Sequence, residues 1–184
     1  MRLFFSRRIG LSDNAEAIPI LAGTRLTGRQ GRYSLGLLNI QQREQGAVPS
    51  TNFSALRLRR DILANSDVGV VFLDKEQAGS HYNRVGGIDA NFRFGFLNVN
   101  GYVAKTFSPQ SAVAGRGRDV ATRASAGYQD RTWTFRGRFD GIGERFNDEI
   151  GFVPRHGVNN TFAFAARAFR PEHLSRWIRE SRPH

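Results

Sequence analysis

The chain has 184 residues, no cysteine, and 27 Lys plus Arg against 16 Asp plus Glu, a formal net charge of +11. Without cysteine there is no disulfide framework and no thiolate-ligated zinc. No apolar run approaches the roughly 18 residues of a membrane-crossing helix, which leaves a transmembrane β-barrel open. Lys75 and Lys105 are the only lysines, so the excess is almost all arginine, whose planar fork suits carboxylates, phosphates and sugar hydroxyls.

The first stretch, MRLFFSRRIGLSDNAEA, has basic residues but no sustained apolar region and is not a secretory signal. If the chain is exported, the signal is expected upstream. From Ile18 onward, apolar and polar residues alternate with period 2, the mark of strands with one wet and one apolar face. Eight or nine such segments run at roughly 18–31, 32–42, 51–60, 66–73, 84–94, 96–107, 118–128, 131–140 and 158–168. Most approach the ~9–11 residues of a tilted bilayer-spanning strand. The last stretch, EHLSRWIRES, permits a short amphipathic helix with Leu174, Trp177 and Ile178 on one face.

Tight links are expected at Gln30-Gly31, Ile62 to Ala64, Phe94-Gly95 and Gln129-Asp130, and long polar ones at 43–50, 74–83, 108–117 and 141–157. In an up-and-down meander this alternation puts short turns at one end and long loops at the other, as in outer-membrane barrels. The expected registers pair Phe92 with Leu97, Ala126 with Trp133, Gly28 with Tyr33 and Leu58 with Val68, with Arg59 opposite Asp67 and Arg123 opposite Arg136. Each hairpin then has one apolar and one polar face, which a one-residue slip would scramble. Tyr33, Phe92, Tyr128 and Trp133 fall beside short turns, and Phe72, Phe107 and Phe139 near long loops, like interfacial girdles. Lys105 is placed where it could snorkel.

The polar face gathers Arg57, Arg59, Asp61, Asp89, Asn91, Asn98, Asn100, Arg123, Arg136, Arg138 and Asp140 as lumen or ligand-contact candidates. They either pair with one another or meet an anionic or hydroxylated solute. Asp140, Glu144, Asp148 and Glu149 cluster in DGIGERFNDEIGF and could hold the acid and base of a glycosidase. Charge in a long polar loop is ordinarily just solvated, so no catalytic residue is assigned. His81, His156, His173 and His184 lack metal-ligand spacing, and neither metal nor cofactor is expected. The GRGR run at 115–118 lacks the following helix of a phosphate loop. Trp133 and Phe135 face away from Arg136 and Arg138, which argues against nucleic acid.

Six ordered stretches carry a resemblance: FFSRRIGL at 4–11, IPILAGTRLTGRQGRYSLGLLNIQ at 18–41, TNFSALRLRRDIL at 51–63, GIDANFRF at 87–94, LNVNGYVAKT at 97–106 and FNDEIGFVPR at 146–155. Together they resemble a bacterial family of unknown function in which a family-9-like carbohydrate-binding domain precedes a β-rich module that looks like an outer-membrane barrel. The resemblance implies a Gram-negative outer-membrane location and an association with carbohydrate. Family members are sometimes labelled hydrolases. It also makes 1–17 a junction from an upstream domain, 18–170 a barrel module that would continue with further strands, and 171–184 a polar tail.

The expectation is an all-β, antiparallel up-and-down meander forming part of an outer-membrane-type β-barrel, with membrane lipid as partner and a glycan as the solute class. The alternative is a soluble antiparallel β-domain binding a glycan or polyanion. A glycan hydrolase using Glu144 or Asp148 stands third.

Overall fold

The computed structural model describes residues 3–5, 9–12, 16–79, 81–109 and 118–169. The tail helix expected over 172–181 and most of the GRGR run lie outside them. Nine strands form one antiparallel sheet in chain order: β1 (Ile20–Gln30), β2 (Tyr33–Gln42), β3 (Thr51–Ile62), β4 (Ser66–Gln77), β5 (His81–Phe94), β6 (Leu97–Phe107), β7 (Val120–Gln129), β8 (Trp133–Ile142) and β9 (Val158–Arg167). There is no helix among the described residues. Each strand contacts only its chain neighbours, so β1 and β9 are open edges and the sheet is not closed.

All four tight turns sit further along the chain than expected. The first and third are Gly31-Arg32 and Gly95-Phe96, with the glycine first and at positive φ (56° in both). Glycine as the first central residue is the mark of a type II′ turn, whose twist matches the flanking strands. The β3–β4 turn is residues 63–65, with Leu63 at φ 55°. In the β7–β8 turn, Asp130 Oδ1 accepts the Thr132 and Trp133 N–H groups at 2.7 and 2.6 Å, an Asx-type closure of residues 130–132.

The registers move accordingly, by two residues in three hairpins and four in β7–β8. Phe92 faces Val99, Gly28 faces Leu35, Leu58 faces Val70 and Ala126 faces Gly137. Even shifts keep every side chain on its face. Arg123 thereby lies opposite Asp140, not Arg136. Arg59 lies opposite Gly69, yet its side chain still reaches Asp67 diagonally, at 2.6 Å.

The long link expected at 74–83 is also corrected. β4 runs on to Gln77 and β5 starts at His81. These strand ends are polar on both faces, so hydrophobic alternation gives no signal there. Cross-strand pairing holds them instead: Asp74 lies opposite Arg84, whose Nε donates to its Oδ1 at 3.0 Å.

The strands are progressively staggered. One hydrogen-bond row runs through Tyr33, Arg60, Val68, Ala90, Gly101, Ala124, Phe139 and Thr161. On the short-turn side, β2 ends on this row, β3 two residues beyond it, β5 four, β7 five and β9 six. Six residues at ~3.4 Å over seven spacings of ~4.8 Å give a slope of about 30°. Closed barrels require a stagger of this kind, with strand tilts of about 35–45°.

The core does not lie between two sheets. Phe53, Leu73, Val85, Ala104 and Ala121 are buried on the same face as the arginines, at the long-loop end, under Phe146 and Ile150 of the β8–β9 loop. Leu3 and Ile9 pack against this core, and the Phe5 N–H donates to the Ile150 carbonyl at 3.0 Å. At that end the opposite face turns polar on β2 and β3, where Asn39 donates to Asn52 and Ser54 at 2.9 and 2.8 Å.

Candidate functional site

On the short-turn half of the sheet the two faces separate sharply. One exposes Leu26, Tyr33, Val70, Ile88, Val99, Val103 and Phe135. Asn39, Ser54, Asp74, Arg84 and Lys105 end this apolar stripe on β2 to β6. Tyr128, Phe135 and Trp133 are in ring contact near the short turns, and Phe96 packs edge-on against Tyr128. Arg60 lies over Tyr33, and Arg167 over Trp133. Lys105 lies over Phe107 near the long-loop end and pairs with Asp119 at 3.3 Å.

The other face carries every residue proposed above as a ligand contact, and it is largely self-paired. Arg57 binds Asp89 through both terminal nitrogens, Nη2 to Oδ2 at 2.8 Å. Asp67 takes Arg59 and also the Asn91 amide, the latter at 2.9 Å. Asp61 takes Arg29 at 2.5 Å. Asp140 takes Arg123 on one oxygen and Arg138 on the other at 2.9 Å. Asn100 accepts from Ser125 at 2.7 Å, and Asn98 accepts from Arg93 Nε at 2.9 Å. Four aspartates thus engage five arginines, while Arg25, Arg93 and Arg136 on the same face make no ion pair among the described residues. The face keeps an excess of four positive charges. Arg59, Asp67, Asn91, Arg93, Asn98 and Asn100 line a polar hollow of about 510 Å³.

β9 breaks the alternation. Phe162 and Phe164 lie opposite Arg138 and Arg136 on the charged face, and these guanidinium groups stand over their rings at 5.9 and 6.0 Å. In NNTFAFAAR both faces read as apolar or small, so hydropathy alone could not say which way the phenylalanines point. Arg93, outside the candidate set, continues the Asp89, Asn91 alternation by one more step and lies on the same face opposite Asn98.

The acidic loop is not simply solvated. Residues 143–153 fold onto the charged face at its long-loop end, where Phe146, Asp148 and Ile150 are buried. Asn83, buried on β5, donates to the Asn147 carbonyl and accepts the Glu149 N–H, both at 3.1 Å. Thr106 Oγ1 donates to the same carbonyl at 2.7 Å. Glu149 meets Lys75 Nζ at 2.7 Å and His81 Nε2 at 3.2 Å. Burial opposes the Glu149 charge, but Lys75 and then His81 outweigh it and hold its pKa below the ordinary value.

Asp148 is the opposite case. Its side chain accepts the Gly151 N–H at 2.8 Å, while Oδ2 is buried without a hydrogen-bond partner. Burial pushes its pKa up to about 7 against two backbone hydrogen bonds. The carboxyl is thus enclosed by the loop and held from solvent. Glu144 is exposed and sits 3.6 Å from Arg118. Among the described residues, no group of three or more His, Asp or Glu is arranged to hold a metal ion. Comparison with protein-family models, curated proteins and solved structures finds no match.

Proposed function

We propose that this chain is an outer-membrane β-barrel module of a carbohydrate-associated envelope protein. Its apolar face meets lipid, and its arginine face lines a lumen that binds or passes a glycan. The observation that carries this is the staggered nine-strand meander with an exposed apolar, aromatic-edged stripe on one face and ion-paired arginines on the other. In water such a stripe is an aggregation liability. In a bilayer it is the lipid-facing surface, while the polar side chains face the lumen. The open edges at β1 and β9 are where a barrel would close, by pairing with each other or with further strands.

A second reading is a soluble antiparallel β-domain that binds a glycan or polyanion. It is favoured by the buried core at the long-loop end, which needs no lipid to form.

Far-UV circular dichroism in plain buffer and in detergent micelles separates the two. The expected result is β-structure that develops only with detergent. A cooperative β-fold in buffer alone would remove the lipid-facing assignment in favour of the soluble binder.

A further inference from the structure

Arg93, Asn98, Gly127 and Arg136 share one hydrogen-bond row of the charged face, on β5, β6, β7 and β8 in turn. Three inter-strand spacings, about 14 Å at the backbone, separate the two arginines. Neither meets a carboxylate among the described residues. The floor between them is open, since a Cβ on Gly127 would find nothing nearer than the Phe135 carbonyl oxygen at 3.9 Å. The neighbouring row supplies Asn100, whose amide both donates and accepts, and ends in Phe162, 46% exposed on the same face.

Two guanidinium groups without a carboxylate among the described residues, Arg93 held by Asn98 through Nε and Arg136 lying over the Phe164 ring, stand beside amides and match a ligand that carries hydroxyls and fixed negative charge together. A neutral solute would leave both positive charges unbalanced, and a small inorganic anion could not span the distance of about 14 Å between them. The geometry points to an acidic saccharide, a glycan bearing carboxylates, lying along this row with its charges at Arg93 and Arg136. This rests on the glycan function proposed above and names the ligand class.

The test is calorimetric titration of the full chain, in the medium where it shows β-structure, with hexagalacturonate and with its fully methyl-esterified form. The acid should bind at least tenfold more tightly than the ester. Combining Arg93→Gln with Arg136→Gln should abolish that preference with unchanged circular dichroism. Gly127→Leu should weaken both ligands by filling the floor without changing charge. Arg60→Gln, on the apolar face, should change neither. Equal binding of acid and ester by the parent chain would overturn the acidic-ligand inference and leave glycan binding standing. Binding of neither by a folded chain would remove the glycan function and the inference together. A loss in Arg60→Gln as large as in the double variant would mean diffuse charge attraction and would overturn the site.

Discussion

The Arg57 guanidinium crosses over Gly69 of β4 to bind Asp89 on β5, two strands away. A Cβ at Gly69 would stand 2.8 Å from Arg57 Nη2 and 3.0 Å from Cζ. Gly69 is therefore the residue that lets a long-range ion pair lie flat on the sheet. The two side chains are 36% and 20% exposed, between the regime of surface pairs and that of buried ones. Gly69→Ala should push the guanidinium aside at a cost of no more than about 1 kcal/mol, because the atoms in the way are the mobile end of a flexible side chain. Combined with Asp89→Asn, the loss should be clearly less than additive in a double-mutant denaturation cycle, because both changes break the same contact.

The loop over the core should loosen as pH rises. The Asp148 carboxyl has its pKa raised from 3.8 to about 7, so docking is strongest while it is protonated. That stability is complete below 3.8, declines as pH climbs toward 7, and stays low above it. Full ionisation disfavours the docked loop by about 4 kcal/mol. Glu149 acts in the other direction and at lower pH, below its ordinary 4.5. Tryptic cleavage after Arg145, normalised to an unfolded substrate at each pH, should accelerate between pH 5 and 7.5. Asp148→Asn, which keeps the acceptor for Gly151, should flatten that profile.

Asn83 ties the loop to the sheet through two hydrogen bonds to the backbone of Asn147 and Glu149, and it is only 1% exposed. Asn83→Ala leaves a buried carbonyl with fewer donors and a backbone N–H with no acceptor, at a cost of about 2–3 kcal/mol. Denaturant titration should show that loss. Hydrogen exchange at Asn147 to Gly151 should quicken more than exchange in β1 and β2.

Ile88 stands at the middle of the exposed stripe and is 63% exposed. Ile88→Lys should destabilise the chain by about 2–4 kcal/mol if that face meets the bilayer midplane. In water the same change should be close to neutral. Urea unfolding in lipid vesicles reads the difference, and a neutral result there would remove lipid from the apolar face.

Strand existence and facing were legible because alternation is local. Each residue's side of the pleat follows from its parity, and even register shifts cannot change it. That is why the candidate contacts from Arg57 to Asp140 share a face although every expected register was displaced. The displacement came from turn chemistry: whether glycine takes the first or second turn position sets which residues pair. Where polar side chains occupy both faces, as at Asp74 to Gln77, alternation is silent and only cross-strand pairing reveals the strand.

By itself, then, the sequence determined an antiparallel meander of eight or nine strands, with arginine and aspartate sorted to one side of the pleat and an apolar stripe on the other. Only the tertiary structure decided that the acidic loop folds inward, burying Asp148 and clamping Glu149 on Lys75 and His81. It also turned Phe162 and Phe164 toward the charged face and left Arg93 and Arg136 without carboxylate partners among the described residues. The physical reason is range. Alternation needs neighbours two residues apart, whereas ion pairing and loop burial join residues as distant as Lys75 and Glu149, seventy-four positions apart, and Phe5 and Ile150, which meet only once the sheet's register and stagger are set.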